Sequence, residues 1–255
     1  MSGEVLALVN YYARSGFYRH VQTVCNEVLK KRGGSDPTLT FWRALGTLKE
    51  GGVNDAIREL EGVAARGDMQ LALPVKLALL HANLASRVVD HEEVSHLESE
   101  VAAEASSAPD RARLHAALLL WHLGERSEAR VHVNTLLDLQ PHSVPSLTLL
   151  GWLELQDAEA AAAAGDAEEA GSMARRAATA FDEALANCSA KKDLEALMGR
   201  ARLLRFREQH KEALDELNQA RAPSAPPRAR VRCTADLVSG AHALTRARPR
   251  PPLRR

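Results

Sequence analysis

Aromatic side chains are scarce in this sequence, with Phe, Trp and Tyr making up only 4% of 255 residues. The few β-branched runs are short, so a sheet-based fold is excluded and the propensity sum favours helix throughout. Cysteine is nearly absent as well. Cys25, Cys188 and Cys233 lie far apart with no C-x-x-C pair. That spacing offers neither a zinc ribbon nor a disulfide framework and fits a reducing compartment. No apolar stretch reaches the roughly 18 residues that a membrane span requires. The opening MSGEVLALVNYYARSG carries an acid where a secretory leader has basic residues, and Asn10 interrupts its apolar run. The chain is therefore expected to be soluble and cytosolic, without membrane insertion.

Catalytic signatures are missing too. There is no G-x-S-x-G, no phosphate-binding glycine loop and no Cys/His pairing. The string HEEVSH, His91 to His96, looks like a zinc helix. Its histidines are five apart rather than four, however, about 140° round the helix, so it reads as an exposed charged helix start. His115 and His122 share a face at seven-residue spacing without a third ligand, and are expected to be partly exposed groove histidines. The expectation is a non-enzyme with no cofactor, no metal and no small-molecule substrate.

What is present is alanine, leucine and a period. Apolar residues make up 45% of the chain, enough to bury a core. Ala117 is followed by Gly124 seven residues on and Ala129 five later, and Ala44, Gly51, Ala56 and Val9, Gly16, Val21 repeat those intervals. The first positions run Val9, Ala44, Ala82, Ala117, Gly151 and Ala201, at intervals of 35, 38, 35, 34 and 50. The last interval contains the alanine-rich acidic insert DAEAAAAAGDAEEAGS, expected to extend helices around a loop, with breaks at Gly165 and Gly171.

A period in the thirties built of paired helices marks a helical solenoid. Small residues mark the places where two helices cross at close range. The glycine ends the first helix by adopting a left-handed conformation at low cost. Proline, as at Pro37 and Pro141, is tolerated where the next helix starts. These positions resemble the tetratricopeptide repeat, and they divide residues 1–222 into six units, about 3–33, 36–68, 69–108, 109–142, 143–190 and 193–222. The third unit departs most from the pattern, at Pro74 and in the loop near Val89. The fold class is all-α, a right-handed superhelical solenoid of about six helix pairs.

Stacked pairs line a concave face with their first helices. In this register the face carries Phe41, Leu45 and Leu48, then Leu114, Leu118 and Trp121, then Thr148, Trp152 and Leu155. This is an apolar protein-binding stripe, for a partner helix or for contacts within a tightly wound superhelix. A carboxylate clamp of Lys, Arg and Asn is missing; only Asn10, Arg202 and Arg205 come close.

Net charge is zero, yet from Arg221 onward nine arginines face one acid, Asp236, so the tail is +8 and the rest about −8. Residues 223–255, rich in Pro and Arg, are expected to be disordered. Without an aromatic residue for base stacking, nucleic-acid binding is not favoured. An alternative end that replaced further repeats is favoured instead, because no polar capping helix is evident.

Three strings go beyond the generic repeat: NYYARSGFYRHV (Asn10 to Val21), SDPTLTFWRALGTLKEGGVNDAIREL (Ser35 to Leu60) and LLLWHLGERSEARVHV (Leu118 to Val133). In order and spacing they resemble the N-terminus of the tetratricopeptide repeat protein 21 family, the all-repeat subunit of intraflagellar transport complex A. The resemblance covers residues 4 to 156 well and 157 to 220 loosely. It implies a non-catalytic scaffold at the cilium and ciliary base, with other complex A subunits as partners, acting in retrograde transport and cargo entry. It also implies an N-terminal fragment or short isoform, since family members are several times longer. The alternative is a cytosolic repeat adaptor or co-chaperone-like assembly factor.

Overall fold

The computed structural model describes residues 3–31, 33–188 and 193–220. Among these every regular element is an α-helix. They are α1 (Gly3–Arg14), α2 (Tyr18–Lys31), α3 (Pro37–Lys49), α4 (Val53–Ala64), α5 (Ala72–Leu84) and α6 (His91–Ser107). The second half continues with α7 (Asp110–Leu123), α8 (Arg126–Leu139), α9 (Val144–Ala164), α10 (Ala167–Ala186), α11 (Leu194–Phe206) and α12 (His210–Ala220). The expected disorder of 223–255 falls outside the described residues.

Local chemistry explains the boundaries. Asp36, Asp90, Asp166 and Asp193 accept backbone N–H bonds at the starts of α3, α6, α10 and α11, satisfying donors that a helix leaves unpaired. Gly124 closes α7 at φ 104°, its amide donating to the carbonyls of Leu120 and Trp121. The same turn position in the last pair, seven residues after Ala201, is held by Glu208 at φ 61°, where a side chain is strained. The insert lengthens both helices around Gly165: α9 and α10 have 21 and 20 residues against 14 each in α7 and α8. About two added turns per helix preserve the facing stripes. Gly171 is not the expected break, because it lies inside α10, where alanine-rich flanks outweigh the modest cost of one glycine.

Odd-numbered helices form an inner ring and even-numbered ones an outer layer. α7 buries every residue from His115 to His122, whereas α8 buries only the stripe Ala129, Val133 and Leu136. A helix apolar all round belongs inside and an amphipathic one outside. The ring is closed: α1 packs against α11 as well as α2. One core runs from Val9 through Trp42, Leu119 and Phe181 to Leu203.

The small residues of the second helices are sealed from solvent, with Ala56 and Ala129 fully buried. Ala56→Leu and Ala129→Leu are each expected to overpack a crossing and cost about 1–3 kcal/mol. Urea midpoints measure this, and neutrality at both sites would place the crossings elsewhere.

Candidate functional site: the inner pocket of the helix ring

α1 lies across the inner face of the ring, and its polar side chains fasten it there. Arg14 Nη1 donates to Glu195 Oε2 at 2.8 Å, spanning 181 residues of sequence, with side-chain exposures of only 5% and 11%. Its guanidinium stands 3.7 Å from the ring centre of Trp152 and 5.7 Å from that of Trp121, a cation held over two aromatic faces. One turn earlier, Asn10 Oδ1 lies 3.2 Å from His122 Nε2. A carbonyl oxygen can only accept, so the histidine donates through Nε2.

The two tryptophans are oriented by their indole N–H groups. Trp121 donates to Gln156 Oε1 at 2.7 Å and Trp152 to the Glu195 carbonyl at 3.3 Å. Their faces border a pocket of about 660 Å³ between α1, α7, α9 and α11. Leu6, Leu114, Leu118 and Leu149 supply apolar wall. The mouth is set where the N-terminal ends of α1, α9 and α11 converge, at Glu4, Val144 and Asp193.

The residues expected on the concave stripe divide here. Leu114, Leu118, Trp121 and Trp152, with Thr148, line the pocket. Phe41, Leu45 and Leu155 are fully buried by the chain's own helices, and Leu48 sits in a smaller cluster with Ala56 and Ala82. These four offer no free surface. The clamp-like residues are engaged too: Asn10 holds His122, and Arg202 forms a two-pronged bond to Glu159 at 2.7 Å on each arm. Glu159 belongs to a row of acids on α9 countered by arginines from the neighbouring helices. Arg126 and Arg130 reach Asp157, and Arg130 and Arg176 reach Glu154.

HEEVSH is an exposed start of α6, its first turn capped by Asp90. Among the described residues no group of His, Cys, Asp and Glu is arranged to hold a metal. Nor is any helix there long and apolar enough to cross a membrane. Cys25 is fully buried, and burial pushes its thiol up to about 12, so it is inert.

The expectation of partly exposed groove histidines is corrected: His115 and His122 are both buried and flank Trp42, at ring-centre distances of 6.1 and 5.9 Å. Ring closure by α1 and α3 covers them. Burial pushes His122 down to about 3 and His115 to about 4, from an ordinary 6.5. The unfolded chain therefore takes up protons below about pH 6.5 that the folded one refuses, and stability falls as pH drops toward 3 to 4. His122→Gln, which keeps a donor for Asn10, is expected to flatten that fall between about pH 6.5 and 4 in urea titrations against the parent chain.

Sequence reasoning missed Arg14, Thr148 as a buried polar group, and Glu195. Arg14 reads locally as a basic residue in the last turn of a helix, and nothing nearby announces an acid 181 residues away.

With this geometry in place, comparison with known proteins identifies the array. The family model described as the tetratricopeptide repeat protein 21 N-terminal ARM repeat matches residues 9–225. The chain is 31% identical over 218 residues to human tetratricopeptide repeat protein 21B, covering 86% of this chain and 15% of that protein. It is 32% identical over 215 residues to the Xenopus laevis 21B protein, covering 84% and 15%. Mouse tetratricopeptide repeat protein 21A is 36% identical over 151 residues, covering 59% and 11%. The chain thus spans about 15% of the length of the 21B relatives. Among solved structures, a monomeric IFIT1 mutant with Gppp-AAAA aligns with a TM-score of 0.50 at 15% identity, covering 82% of this chain and 47% of that one. That is a likeness of fold alone. The matched segment takes in all but the start of α1 and every helix of the ring, and the chain belongs to the tetratricopeptide repeat protein 21 family.

Proposed function

We propose that this chain is a non-catalytic N-terminal scaffold segment of an intraflagellar transport complex A subunit. It works at the cilium and ciliary base in retrograde transport and cargo entry, with other complex A subunits as partners. The observation that carries this is the family match across residues 9–225. The helical solenoid supports it, since stacked helix pairs present extended surfaces for protein contacts. The repeat units proposed for residues 1–222 supply that surface. Within them the partner-facing residues are those left at the pocket, Leu114, Leu118, Trp121 and Trp152. Affinity capture of the tagged chain from ciliated cells is expected to recover other complex A subunits. Recovery of none, by a chain shown to be folded by circular dichroism, overturns the proposal.

A further inference from the structure

We infer that the pocket between α1, α7, α9 and α11 is a docking site for a lysine or arginine side chain carried on an apolar segment of a partner protein. The inference rests on the scaffold reading above and names the chemistry of what one inner surface recognises.

Two polar atoms in the pocket wall have no partner among the described residues. Thr148 is 5% exposed and Glu195 8%, both line the pocket, and Thr148 Oγ1 and Glu195 Oε1 are buried without a hydrogen bond. Buried polar atoms are normally satisfied, and an unmet one is costly. Arg14 occupies only the other oxygen of Glu195. As a carboxylate oxygen Glu195 Oε1 calls for a donor, and the Thr148 hydroxyl can accept from the same group. Asn10, which also lines the pocket, has its carbonyl oxygen engaged with His122.

Charge narrows the donor to a cation. Asp193 and Glu195 line the pocket, and no Lys, Arg or His does so among the described residues. A phosphate or carboxylate entering here meets a carboxylate oxygen at the position of the unmet bond. The helix starts at the mouth would favour an anion, but Asp193 already accepts the α11 amide of Ala196. The walls suit the rest of such a side chain, because Leu6, Leu114, Leu118 and Leu149 cover its aliphatic stem, while the indole faces of Trp121 and Trp152 are already taken by Arg14. At about 660 Å³ the space exceeds one side chain. It admits flanking apolar residues too, which is how a buried Arg or Lys anchors an interface.

The test uses the full chain and three blocked amphipathic peptides, identical except for a central lysine, norleucine or glutamate. Binding is measured calorimetrically and located by the indole N–H signals of Trp121 and Trp152. The lysine peptide is expected to bind at least roughly tenfold more tightly than either of the others. Thr148→Val and Glu195→Gln are each expected to reduce that preference, and Thr148→Ser to restore it. The inference is overturned if the lysine and norleucine peptides bind equally or if the glutamate peptide or inorganic phosphate is preferred. It is equally overturned if n-butylamine alone matches the peptide, or if the folded chain binds none of the peptides at about 1 mM. Complex A capture by the Thr148→Val chain separates the two proposals. Intact capture without any lysine preference leaves the scaffold standing and removes the pocket's assignment.

Discussion

Replacing Arg14 with alanine is expected to destabilise the chain by about 3–5 kcal/mol, the usual cost of removing one partner of a buried ion pair. The arginine and Glu195 are both nearly sealed from water, at 5% and 11% side-chain exposure. The deletion thus strands a carboxylate rather than merely losing a contact. Burial already pulls the Glu195 pKa up while Arg14 pulls it down, so in the variant it should rise further and the acid take up a proton. The cation above Trp152 is lost at the same time. Because this pair joins α1 to α11, the loss should be spatially specific. Hydrogen exchange should speed up along α1 and at the start of α11, with less change in α3 to α5. Arg14→Met with Glu195→Leu removes both charges, and is expected to recover most of the stability. A cost below about 1 kcal/mol for Arg14→Ala, in urea melts, would mean that α1 is not seated against α11.

That contact marks the limit of what the sequence reveals. The small positions Val9, Ala44, Ala82 and Ala117 are buried, and Gly16, Gly51 and Gly124 adopt positive φ, because close crossings and sharp turns are local demands written into local spacing. Closure of the ring is not local. It depends on how a small rotation per helix pair accumulates, and its contacts join residues such as Asn10 and His122, 112 apart. For that reason an inner face that reads as an open apolar stripe is partly core, at Phe41, Leu45 and Leu155, and partly pocket wall, at Trp121 and Trp152. His115 and His122 follow the same logic: their spacing shows a shared face but not what covers it. The acids of the insert give the opposite lesson. In the sequence they are part of an insert expected only to extend helices around a loop, yet Asp157 and Glu159 are held by Arg126, Arg130 and Arg202, because the lengthened α9 packs against both α8 and α11.

Phe181→Ala is expected to cost about 3–5 kcal/mol, and the same site predicts a reversal of sign at its neighbours. The ring is fully buried on α10 and stands edge-on to Trp152, 5.9 Å between centres at 83°. It is received by two glycines. A Cβ on Gly151 of α9 would lie 2.6 Å from Cε1 of Phe181, and one on Gly199 of α11 only 2.3 Å away. Glycine mid-helix normally loses about 1 kcal/mol to alanine, so both positions accept a local penalty to admit the ring. In the parent chain Gly151→Ala or Gly199→Ala should gain that amount and lose about 1–3 kcal/mol to overpacking, a net destabilisation, since a ring pinned from two sides and by Trp152 has little room to yield. In the Phe181→Ala background the clash is gone and a cavity remains. There Gly199→Ala should stabilise, through helix propensity and by refilling part of the void. The coupling from a double-mutant cycle of urea midpoints is expected at about 1–3 kcal/mol. If Gly199→Ala shifts both backgrounds by the same amount, the ring is not what makes glycine necessary, and the packing of α9, α10 and α11 must be redrawn.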